Sequence, residues 1–106
     1  MDKLKDIIRQ TIKVTQQFAE LEQTKLEIAA AENLTALEDC MPKEQTLIMR
    51  MKGLEQERAR WMTQNGKEGL TFRALLEQCD EAQRKELQPL YDQLSRALLT
   101  LEDISK

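Results

Sequence analysis

Side chains able to do chemistry are few in this sequence. Histidine is absent, so general acid–base work falls to carboxylates, lysines or Tyr91, whose pKa values would need large environmental shifts to serve near neutral pH. Arg58, Arg60 and Arg73 are the cations that could converge on a dianionic substrate, as they do in small all-helical enzymes, but their spacing matches that arrangement poorly. Acids stand three or four residues from bases, Glu55 with Arg58 for example, as on an ordinary solvated helix face. With no reactive constellation present, the chain reads as a non-enzyme.

Metal and cofactor chemistry fare no better. Cys40 and Cys79 lie far apart without neighbouring ligand residues, and there is no CxxC and no histidine, so the usual zinc sites cannot be assembled. Neither a metal nor another cofactor is expected. The two cysteines read as small, reduced, apolar side chains, since a disulfide is out of place in the cytosol. The GxxG of Asn65 to Leu70, NGKEGL, has no strand before it and no GK[ST], and so reads as a turn and not a phosphate cradle.

What the sequence does carry is periodicity. One seam of apolar residues spaced three and four apart runs through Leu4, Ile7, Val14, Phe18, Leu21 and Ile28, interrupted at Thr11 and Lys25. A second runs through Leu47, Met51, Leu54, Arg58 and Trp61, and a third through Leu87, Leu90 or Tyr91, Leu94, Leu98, Leu101 and Ile104. Each seam lies on one face of a helix and suits lengthwise packing against another. The expected fold is all-α: an antiparallel helical bundle of two long helices plus a short helix and a kinked final helix, forming one domain over residues 1–106.

Boundary signals place these elements. Helix 1 is expected from about Lys3 to Ala36 or Leu37, through TKLEIAAAE, a stretch of high helix propensity. Pro42 disfavours helical geometry at Met41 and suits the first turn of the next helix, so a tight hairpin connection is expected there. Helix 2 then runs to Gln64 and ends at Asn65 and Gly66. Gly53 within it costs about 1 kcal/mol relative to alanine, and Arg58 on its seam reads as a side chain snorkelling past the core. Thr71 caps a short helix covering Phe72 to Gln78, and Asp80 with Gln83 forms a capping box for the last. Pro89 should kink that helix or force a fresh start just before it.

Composition bounds what such a bundle can do. The chain has 106 residues, is 41% hydrophobic and 33% charged, and has only three glycines and two prolines, which allows few turns and therefore few, long elements. The net charge is −3 with basic residues dispersed among the acids, so no footprint for nucleic acid is visible. MDKLKDIIRQ is no signal peptide, and no stretch approaches the roughly 18 apolar residues of a membrane span. A soluble, cytoplasmic protein that offers a helical surface to another chain is the expectation.

At residues 47 to 76 a more specific pattern emerges. The run LIMRMKGLEQERARWM, the glycine turn NGKEG and then LTFRALLEQ resemble the FlgN family of flagellar export chaperones. That family shares L-x-x-E-x-x-R followed by apolar residues, a glycine turn and a Thr-led short helix of the type TLxxLL. Leu54, Glu57 and Arg58 with Glu55 give an approximate version of the first part, since Glu55 and not Glu57 stands three before Arg58. Gly66, Thr71, Leu75 and Leu76 give the rest, and CDEAQRKELQPLYDQL looks like the opening of the family's long final helix. The order of elements extends the likeness over essentially the whole chain. One departure stands out: the family's final helix usually continues further, whereas this sequence stops at Lys106.

The resemblance implies a cytoplasmic chaperone that binds the hook-associated proteins of the hook–filament junction before export through the flagellar type III apparatus. The final helix would then present Leu94, Leu98 and Leu101, flanked by Tyr91 and Ile104, to the helical terminal segment of the client. Leucines at this spacing serve equally as core. Other readings are a FliT-type export chaperone with a different client, and a client-free coiled-coil module that forms a homo-oligomer.

Overall fold

The structure is a computed structural model that describes residues 2–104, and every regular element among them is a helix. Helix α1 spans Asp2–Ala30, α2 Leu34–Gln64, α3 Phe72–Gln78 and α4 Glu81–Ile104. Cross-contacts fix their directions. Lys25 of α1 meets Glu44 of α2 at 2.7 Å, while Gln17, two turns earlier on α1, accepts from Arg50, further along α2, at 3.4 Å, so these helices run antiparallel. Lys5 pairs with Glu86 at 2.6 Å at the start of both α1 and α4, and Ala19 shares a groove with Ala97 further along, so these two run parallel.

Helix α1 is the centre of this arrangement. Both α2 and α4 pack against it, α3 packs against α4, and no backbone approach brings α2 and α4 together. A helix with a neighbour on each side buries a wide arc, and α1 accordingly buries Leu4, Ile7, Ile8, Ile12, Val14, Thr15 and Ala19. The single seam expected from spacing is therefore too narrow, since it omits Ile8 and Ile12 and includes Phe18, which is only half-buried. Thr15 is fully buried without strain on its hydroxyl, which donates to the Thr11 carbonyl at 2.7 Å.

The expected hairpin is present, but its turn is not at Pro42. Helix α1 stops at Ala30, where Glu32 takes a left-handed conformation with φ of 56°. The Glu32 amide then donates to Ala29 and the Asn33 amide to Ile28, which satisfies the last carbonyls of α1 in the crossed pattern of a Schellman motif. Asn33 also begins α2, its side-chain oxygen accepting from the Ala36 amide at 3.1 Å. Local capping thus overrides both the alanine run and the proline. Pro42 lies exposed within α2, where water can reach the Glu38 carbonyl that its missing amide leaves without an intrahelical donor. Likewise α4 continues through Pro89 and does not restart there.

The remaining caps fall where the sequence places them. Gly66 has φ of 68°, and the Lys67 amide donates to Met62 while that of Gly66 donates to Thr63, closing α2 with a second Schellman motif. Thr71 accepts from Ala74 at 3.1 Å to start α3, and Asp80 accepts from Gln83 at 2.8 Å to start α4. The short crossover folds α3 back onto the start of α4. Leu75 and Leu76 thereby join Leu4, Ile7, Ile8, Trp61, Met62, Leu87 and Leu90 in one core cluster.

Candidate functional site

The core occupies one end of the molecule, and the other end leaves apolar surface uncovered. Among the described residues the exposed large apolar side chains are Leu26, Leu34, Met41, Met49, Leu98 and Leu99. Leu26, Leu34 and Met41 lie on the parts of α1 and α2 nearest their turn, Met49 lies at the middle of α2, and Leu98 and Leu99 lie in the last two turns of α4. The cluster of buried residues ends before them. Three helices in a row with no fourth element over them cannot cover both flanks of the layer, and that is why the leucines show.

The five residues of the expected α4 site are not equivalent. Tyr91 stacks on Phe72 of α3 with ring centroids 5.1 Å apart, and Leu94 packs on the edge of the core. Leu98 is 45% exposed, while Leu101 and Ile104 are half-buried. At about 100° per residue Tyr91, Leu94, Leu98 and Leu101 share one flank of α4, and the Tyr91–Phe72 stack shows that this is the flank on which α3 lies. The stripe thus continues the line of α3 toward the open end. Ile104 is turned about 60° round the helix from Leu101 and about 120° from Leu98, and lines a groove of about 860 Å³ between α1 and α4 with Ala19, Arg96, Ala97 and Thr100.

Helix α2 has a counterpart that reading the sequence missed. Leu34, Leu37, Met41, Glu44, Ile48 and Met51 repeat at strict three-four spacing, forming a second seam beside the one turned toward α1. Its signal is the seven-residue interval Leu34, Met41, Ile48, which becomes visible only once Pro42 is placed inside the helix instead of at its start. Leu34 and Met41 are exposed, and Leu37, Ile48 and Met51 are half-buried.

Between these stripes α1 contributes Phe18, Glu22 and Lys25, all half-buried. Lys25 donates to Glu44 at 2.7 Å and to Glu22 at 3.5 Å, joining α1 to α2. The bond to Glu44 is the main reason its ammonium is held above the ordinary lysine range. The opposite flank has a different character. There the α1–α4 groove and a second groove between α1 and α2 are both lined by Glu20 and Thr24, with Arg96 on one side and Lys43 on the other.

Chemistry is correspondingly sparse. Arg58 pairs with Glu55 on the surface at 3.4 Å, and Arg60 and Arg73 are exposed. Cys40 and Cys79 are free thiols, both buried. Burial pushes the Cys79 thiol up, and its sulfur sits 3.2 Å from the Leu75 carbonyl. Among the described residues no group of three or more histidine, cysteine or acidic side chains is placed to hold a metal ion, and no helix is long and apolar enough to cross a membrane.

The order of a long helix, a second helix, a glycine turn, a Thr-capped short helix and an amphipathic final helix is present in the structure. The FlgN protein family matches this chain across residues 1–106. The chain belongs to the FlgN family. No curated protein and no solved structure matches it. FlgN proteins are flagellar export chaperones and not enzymes.

Proposed function

We propose that this FlgN-family chain is a cytoplasmic chaperone for hook-associated proteins of the hook–filament junction, holding a helical terminal segment of the client until it is exported by the type III apparatus. The client lies along α4 on Tyr91, Leu94, Leu98 and Leu101, while Ile104, which faces the α1–α4 groove, stays outside the contact. The observation that carries this reading is Leu98, a leucine 45% exposed in the middle of a three-four stripe whose lower residues are packed. An amphipathic segment that is disordered alone can fold as a helix against such a stripe, gaining about 25 cal/mol for each Å² of apolar area it buries.

The test is Leu98→Asp. At an exposed position the carboxylate stays solvated in the free protein, but under a docked helix it would be buried without a partner. Thermal midpoint and helicity should be retained while calorimetric titration with the C-terminal segment of a hook-associated protein shows a strong loss of affinity. A variant that unfolds would place Leu98 in the core. Absence of wild-type binding to every hook-associated segment would remove the client assignment.

A further inference from the structure

Given the client-binding reading, on which this rests, the flank beneath the docked helix constrains what that helix must carry. The open flank is apolar along both edges, with Ile48 on α2 and Leu98 on α4, yet its floor is charged. The side chains of Lys25, Glu44 and Glu22 retain only 27%, 26% and 19% of their exposure and are linked through the Lys25 ammonium. Two carboxylates around one ammonium leave one net negative charge. Water reaches these groups in the free protein, and a helix laid over the flank would remove it. An ion cluster buried with uncompensated charge opposes docking, whereas a cation brought by the incoming helix neutralises it and satisfies carboxylate oxygens that water had served.

We propose that Glu22, Lys25 and Glu44 form a register-setting site that selects an amphipathic helix bearing one lysine or arginine in the middle of its apolar face. Dimensions permit one such position. From Phe18 to the end of α1 the uncovered stretch is about 18 Å, a little over three turns, with Lys25 near its middle. Apolar residues of the incoming helix three or four positions from the cation toward the core then fall against Phe18, Ile48 and Leu98, and those on its other side against Met41. A helix with an acid at the central position adds like charge to the cluster, and one with an apolar residue leaves it buried and unbalanced. Discrimination comes as much from these penalties as from the new ion pair.

The experiment uses the full chain and three short helical probe peptides, identical except for Lys, Met or Glu at the central position of the apolar face, titrated by fluorescence anisotropy. The Lys peptide should bind at least about tenfold more tightly than the Met peptide, as one charge-assisted pair in a desolvated site would give, with the Glu peptide weakest. The preference should collapse in the Glu22→Gln, Glu44→Gln double variant. Equal binding of all three peptides, binding of none, or a preference that survives the double variant overturns the proposal. The wild-type comparison stands even if the double variant folds poorly.

Hook-associated segments titrated alongside separate this site from the client assignment. If the probe peptides obey the rule but no hook-associated segment binds, the register site stands and the client assignment fails. Segments that bind the wild type and the double variant equally well leave the client assignment standing and remove the register site. Sedimentation equilibrium provides the last arm: a dimer dissolved by Leu98→Asp would mean that a second copy occupies the flank, and would overturn the proposal.

Discussion

The rings of Phe72 and Tyr91 stack with centroids 5.1 Å apart and planes 17° from parallel. This contact fastens α3 to α4 at the point where the core ends and the open flank begins. Offset-stacked rings contribute about 0.5 to 1.5 kcal/mol beyond the area they bury. A double-mutant cycle with Phe72→Leu and Tyr91→Leu, followed by urea unfolding, should return a coupling of that size. A coupling indistinguishable from zero would reduce the stack to the ordinary burial of two side chains against the core.

Glu32 is the one non-glycine residue among those described with positive φ, at 56°. A side chain there costs roughly 1 to 2 kcal/mol relative to a residue without a Cβ. Glu32→Gly should therefore raise stability by about 1 kcal/mol, less than the full strain because glycine loses more freedom on folding. Glu32→Val should lower it. If glycine destabilised the protein as much as valine does, the left-handed turn would not be where α1 ends.

Much of this fold is legible in the residues. Asn65 with Gly66, Thr71 and Asp80 cap the helices that their types announce, because each cap is a local exchange between one side chain or one φ angle and nearby backbone groups. The α1–α2 turn was not legible in the same way. Ala29, Ala30 and Ala31 favour helix and Pro42 discourages it, and only the less conspicuous Asn33 signals the true boundary. Misplacing that turn hid the Leu34, Met41, Ile48 seam, and with it half of the open flank. Burial was legible only in part, since spacing gives a helix one face whereas α1 has two neighbours.

Phe18 measures the consequence of that wider arc. On a single buried seam it would be core, and its loss would cost about 3 to 5 kcal/mol. Being half-buried at the edge of the open flank, it should cost only about 1 to 2 kcal/mol when changed to alanine, in proportion to the smaller area removed from water. Leu75→Ala, at a site 1% exposed, should cost more, about 3 to 5 kcal/mol. Chemical unfolding of both variants checks the order. A larger loss at Phe18 would mean that the flank is covered in the free protein.

Uneven burial also predicts uneven opening. From Leu34 to Arg50 helix α2 buries Cys40 alone, carries Pro42 without its hydrogen bond, and follows a strained turn, whereas Leu54, Trp61 and Met62 anchor its second half. Few apolar contacts and an interrupted hydrogen-bond ladder set a low free energy for local unfolding. Amides of residues 34–48 should therefore exchange with deuterium well before those around Trp61, Leu75 and Leu87, whose exchange should follow global unfolding. Adding a client segment that binds the open flank should slow exchange in residues 34–48 and in the second half of α4, where its two edges lie. Uniform protection along α2 in the free protein would show that its first half is held by contacts stronger than Cys40 and the Lys25–Glu44 pair.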